Sequence, residues 1–142
     1  MNQTDIFENN YQQFCEEGYT VTYLEETKPK ILLSEYQEFT PQTFIVKEYP
    51  ISSQIAYLYS GLAAEAGEVV GNYAKFVRGD FDKTELRNRT YKELGDVMYF
   101  VSQIANTFNI NLEDILVENK FKLSERMKAN KIKGDGENLG DR

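Results

Sequence analysis

The sequence predicts an all-α protein: an antiparallel helical bundle of four to five helices, oligomerising through the bundle, with an irregular N-terminal extension. Three observations carry this expectation. Apolar residues recur at steps of three and four over two long stretches, about 53–77 and 84–108. Between them lies Gly79-Asp80-Phe81-Asp82, a turn-forming run. The one stretch with strand character, Tyr19 to Leu24, has no obvious partner strand. At 142 residues the chain fits one domain. It divides into an extension (1–30), a helical domain (31–130) and a polar, glycine-rich tail (131–142).

Taken in order, Ile6, Phe7, Tyr11 and Phe14 have helical spacing, so a short helix from Thr4 to Glu16 is expected, ended by Gly18. Tyr19 to Leu24 is expected to be extended, and Thr27 to Lys30 a linker. Ser34 is placed to cap a helix carrying Tyr36, Phe39 and Phe44. Pro41 falls inside that stretch. Proline lacks an N–H and clashes with the preceding turn, so either two short pieces or a break near Thr40 is expected. After Pro50, Ser52 or Ser53 caps a helix running to about Val77, with Ile55, Leu58, Leu62, Ala66, Val69, Tyr73 and Val77 as its stripe. Small residues at Gly61, Ala63, Ala64 and Gly67 admit a close neighbour. The next helix opens at Lys83 or Thr84 and carries Leu86, Thr90, Leu94, Val97, Val101, Ile104 and Phe108. Asn111 can cap a last helix bearing Leu112, Ile115, Leu116, Leu123 and Met127. Stripes on more than one side leave apolar surface that a single copy exposes, which favours oligomerisation.

The net charge of −7 argues against direct nucleic-acid binding through a basic groove. The chain has no His, which excludes His-based acid–base chemistry and His zinc sites, and its single Cys15 permits no intrachain disulfide. No apolar run approaches the ~18–20 residues needed to span a bilayer, and no basic region followed by an apolar run opens the chain. A cytoplasmic protein without membrane contact is expected.

Two pairs of acids stand out. Glu65 and Glu68 share one helix face at i, i+3, as do Glu93 and Asp96, and the pairs mirror each other about the turn at 79–82. Folding there brings four carboxylates to one height. Like charges gathered in a bundle are costly unless a cation joins them, and hard oxygen ligands suit Mg²⁺ or Mn²⁺. Two solvated faces with Lys neighbours are the competing reading. Asn119, Lys122 and Arg126 form a polar strip on the last helix, read either as an ordinary amphipathic face or as phosphate contacts. Lys75 and Arg78 complement a helix C-terminus or contact phosphates. Gly134-Asp135-Gly136 fits a flexible tail or an anion-binding nest.

Gly61-Leu-Ala-Ala-Glu-Ala-Gly-Glu-Val69 followed by Lys92-Glu-Leu-Gly-Asp-Val97 resembles the MazG-like nucleotide pyrophosphohydrolases, whose signature is Glu-x-x-Glu, a spacer, then Glu-x-x-Asp. Tyr36 and Gln37 with Thr43 resemble the first-helix motif, and Asn119 to Leu123 with Arg126 the last-helix motif. The tail to Asn138 is similar to the Gly-Asp-Gly ending of small members, so the resemblance covers about 32–138. Lys75-Phe76 stands where the family often has two lysines, and Pro41 is a further departure. The resemblance implies a dimer or tetramer with sites near the interface. It implies Mg²⁺-dependent hydrolysis of a nucleoside triphosphate, a dNTP or non-standard nucleotide, to the monophosphate and pyrophosphate. Carried over, Glu65, Glu68, Glu93 and Asp96 are the Mg²⁺ ligands (Mn²⁺ serving as well). Glu65 is then the base that takes a proton from water attacking the α-phosphorus. Asn119, Lys122 and Arg126, with Lys75 and Arg78, would contact phosphates, and Gln37 the base or sugar. A dUTP/dCTP or phosphoribosyl-ATP substrate, or a non-catalytic helical interaction module, are the alternatives.

Overall fold

In a computed structural model the chain is described for residues 30–132; the expected N-terminal helix, the extended run 19–24 and the Gly134-Asp135-Gly136 tail lie outside this range. The described residues form α1 (Leu33–Phe39), a 3₁₀ turn (Thr40–Thr43), α2 (Ile51–Val77), α3 (Lys83–Thr107) and α4 (Leu112–Lys128), with no strand among them. No helix among them is long and apolar enough to cross a membrane.

Helix α2 begins earlier than its serines suggest. Pro50 is its N-cap residue, and no side chain caps it. The carbonyl of Pro50 accepts from the N–H of Ser53 (2.9 Å) and Gln54 (3.1 Å), so Ser52 and Ser53 are already helical. Likewise α1 starts ahead of Ser34, with the N–H of Leu32 donated to Glu35 Oε2 at 3.0 Å. At α3 the cap is Asp82, whose carboxylate accepts from the N–H of Glu85 at 2.9 Å. Pro41 acts as expected: α1 stops at Phe39 and the chain tightens into the 3₁₀ turn.

Three helices stop in the same way. Past α2, Gly79 takes φ 84°. Its N–H bonds Phe76 O (2.9 Å), and that of Asp80 reaches Lys75 O (3.0 Å). Asn109 after α3 and Asn130 after α4, each at φ 54°, make the equivalent pair of bonds. This closure satisfies carbonyls that a helix end otherwise leaves without partners.

The two long helices form an antiparallel hairpin, and most of the apolar stripes read from sequence are buried or half buried along it. Leu58, Phe76, Leu86 and Phe100 are buried in it. Leu94 and Phe108, expected on the packed side, are half exposed, and Ala66 is exposed. The seam also includes polar positions, Glu65 and Asn72 on α2 and Glu93 on α3, that apolar periodicity leaves out. Gly61 is needed where it stands: a Cβ there would lie 2.1 Å from Phe100 Cε1. Gly67, Gly71 and Gly95 face open space.

Helix α1 and the 3₁₀ turn attach to the far end of α3 mainly through hydrogen bonds, not through Phe39, which is half exposed. Thr40 Oγ1 and Ser102 Oγ are 2.8 Å apart, and Gln103 Nε2 donates to Thr40 O at 3.0 Å. Asn106 Nδ2 donates to Gln37 O at 3.1 Å. All of these are buried or partly buried, and no buried side-chain N or O among the described residues lacks a partner. Helix α4 packs on α1, with Leu112 buried at its start; from Glu113 to Leu123 every residue is exposed.

Candidate metal centre

The hairpin seam changes character along its length. Towards the turn it is closed by Phe76 and Leu86, and towards the other end by Leu58 and Phe100. Between these apolar layers sit Glu65 and Asn72 from α2, with Glu93 and Asp96 from α3. One carboxylate oxygen each of Glu65, Glu93 and Asp96 lies within 4.8 Å of the others. Glu65 and Glu93 are half buried, whereas Asp96 is exposed. None of the three is in an ion pair among the described residues.

Among the described residues the charge is therefore uncompensated. The Glu65 carboxyl is pushed above the usual carboxylate range, first by partial burial and then by Asp96, Glu93 and Glu68. A donor set of three hard oxygens with this much mutual repulsion fits a divalent cation of the Mg²⁺ or Mn²⁺ type.

Three of the four expected acids thus come together. Glu68 is exposed and outside the group, near enough only to raise Glu65. Side chains three residues apart differ by about 60° around a helix. With Glu65 turned into the seam, Glu68 falls on its outer edge, whereas Glu93 and Asp96 straddle the facing line on α3.

The remaining expected residues lie elsewhere. Gln37 is buried and its amide is taken up: Nε2 donates to Asn106 Oδ1 (3.0 Å) and Ile110 O (2.7 Å), and Oε1 accepts from the N–H of Leu112 (2.8 Å). Its amide joins α1 to the start of α4, where the N-terminal N–H groups need an acceptor. Lys75 and Arg78 stand ten and thirteen residues beyond Glu65, which is about 15 and 20 Å along the helix axis. Arg78 is paired with Asp80. Asn119 and Lys122 are exposed on α4, and Arg126 is half buried. None of the five is brought to the carboxylates through helix packing within the chain.

Two residues at the site have no functional role assigned from sequence. Asn72 is almost fully buried and its Nδ2 donates to Glu93 Oε1 at 3.2 Å. Its spacing from Glu65 and Glu68 (i+7, i+4) continues their helix face and was the available signal. Tyr36 comes from α1; its phenol is pushed up by burial first, then by Asp96 and Tyr99. No periodicity in the sequence connects α1 to Asp96.

Over the described residues, fold and site together define an all-helical protein whose central hairpin turns a carboxylate triad towards a common point. No family model matches the chain, and no solved structure matches it. It is 37% identical over 87 residues to Gene 37 protein of Mycobacterium phage L5, covering 59% of this chain and 75% of the phage protein. The chain belongs to the same family as that phage protein.

Proposed function

We propose that this protein is a divalent-cation-dependent nucleotide pyrophosphohydrolase of the MazG-like type, cleaving a nucleoside triphosphate to the monophosphate and pyrophosphate. The observation that carries the reading is the triad of Glu65, Glu93 and Asp96, gathered within 4.8 Å and without a cationic side chain paired to it among the described residues. A cation held there supplies Lewis acidity towards phosphoryl oxygens and lowers the pKa of water. Glu65, its carboxyl raised by burial and the neighbouring acids, accepts the proton of the water that attacks the α-phosphorus. The bond from the α-phosphorus to the bridging oxygen breaks, and pyrophosphate leaves with the electron pair. Glu93 and Asp96 would hold the cation from the facing helix. Glu68 adds negative potential from the rim.

Phosphate contacts fall to Asn119, Lys122 and Arg126. The reading includes self-association, because α4 exposes Leu116, Val117, Phe121 and Met127, and the hairpin exposes Val70, Tyr91, Leu94 and Met98. In such an assembly a neighbouring copy's α4 brings its basic strip to the hairpin.

The test is pyrophosphate release from a panel of NTPs and dNTPs, with Mg²⁺ and with EDTA, for the wild type and for Glu65→Gln and Glu93→Gln. Cation-dependent release, lost in both variants, supports the reading, and the rank order names the base. Cation binding without release from any nucleotide points to another phosphorylated substrate. No cation binding at all leaves a helical interaction module.

A further inference from the structure

We propose that Asn72 is a positioning residue for the carboxylate triad, its side-chain amide holding Glu93 in the orientation that binds the cation; this rests on the metal-centre reading above. Asn72 is 2% exposed on α2, one helical turn after half-buried Val69 and one before buried Phe76. A primary amide taken out of water among such neighbours is costly unless it is hydrogen-bonded. Its Nδ2 donates to a carboxylate, Glu93 Oε1, at 3.2 Å.

The chemistry of that donor matters. An ammonium or guanidinium in this place would neutralise Glu93 and compete with a cation for it. An apolar side chain would leave Glu93 free to rotate towards solvent, away from Glu65, whose negative charge repels it. A neutral N–H donor does neither. It fixes one oxygen of Glu93 and leaves the carboxylate's full charge available to the point it shares with Glu65 and Asp96. Ligating carboxylates are commonly held by such outer hydrogen bonds, and losing one costs metal affinity by 10- to 100-fold in general experience.

Asn72→Leu keeps the branched shape and removes the donor, and Asn72→Ala removes it with a smaller side chain. Mn²⁺ is titrated by calorimetry into the full chain, wild type and both variants, alongside thermal melts without metal. The expected result is Mn²⁺ affinity lower by about 10-fold in each variant, with the metal-free melting temperature of Asn72→Leu unchanged or raised. A purely structural role predicts the reverse, a lowered metal-free melting temperature and unchanged Mn²⁺ affinity, and that result overturns the proposal. So does failure of both variants to fold. Absence of Mn²⁺ binding by the wild type instead overturns the metal-centre reading itself, before any variant is compared.

Discussion

If Glu65, Glu93 and Asp96 repel one another in the metal-free protein, removing one charge stabilises the fold. Glu65→Gln is the informative change, because Glu65 faces both other acids across the seam and a glutamine keeps its shape. With oxygens within 4.8 Å, one carboxylate pair repels by about 0.9 kcal/mol in a water-like dielectric. Two such pairs end on Glu65, giving about 1.7 kcal/mol before screening and about 1 kcal/mol at a Debye length of about 10 Å. Metal-free Glu65→Gln therefore melts roughly 3–6 °C above the wild type at pH 8. A divalent cation reverses the order. At 100 times its dissociation constant it stabilises the wild type by about 2.7 kcal/mol, and the variant by much less. Glu68→Gln, lying outside the triad, changes both melts less than Glu65→Gln does. Scanning calorimetry with EDTA and with Mg²⁺ measures all of this. A metal-free Glu65→Gln that melts at or below the wild type, with the same cation response, would refute the picture of a converging triad.

The raised Glu65 carboxyl also sets a pH dependence. The folded state keeps a proton that the unfolded chain has released, so metal-free stability falls as pH rises from the ordinary glutamate range through the folded pKa. Denaturant midpoints measured across that range decline in the wild type and flatten in Glu65→Gln. Gly61→Ala costs about 1–3 kcal/mol from overpacking against Phe100, although alanine is the better helix former, whereas Gly67→Ala, with open space around it, gains about 0.5–1 kcal/mol; urea unfolding distinguishes them. Gln37→Leu loses three hydrogen bonds and strands the Leu112 N–H, for a loss of about 2–4 kcal/mol. In that variant, hydrogen exchange quickens first at the start of α4.

The sequence by itself determined the helices, the turn and the pairing of acids. Steps of three and four, Gly79 and Pro41 act within a few residues of one another, so their consequences are local: where a helix runs, where it closes and where it breaks. The mirrored spacing of the two acid pairs about the turn likewise set which carboxylates share a height on the hairpin. The tertiary structure decided the rotation of each helix about its axis. That angle comes from how Gly61 admits the Phe100 ring and how Asn72 meets Glu93, contacts between residues 39 and 21 positions apart. It turns Glu65 inward and Glu68 outward, so four acids of equal standing in the sequence become a triad and a rim charge. The same dependence on distant partners gives Gln37 its role: its amide serves α4 because folding places the Leu112 N–H 2.8 Å away. A buried polar group is satisfied by whatever packing brings to it, and that is a property of the assembled seam.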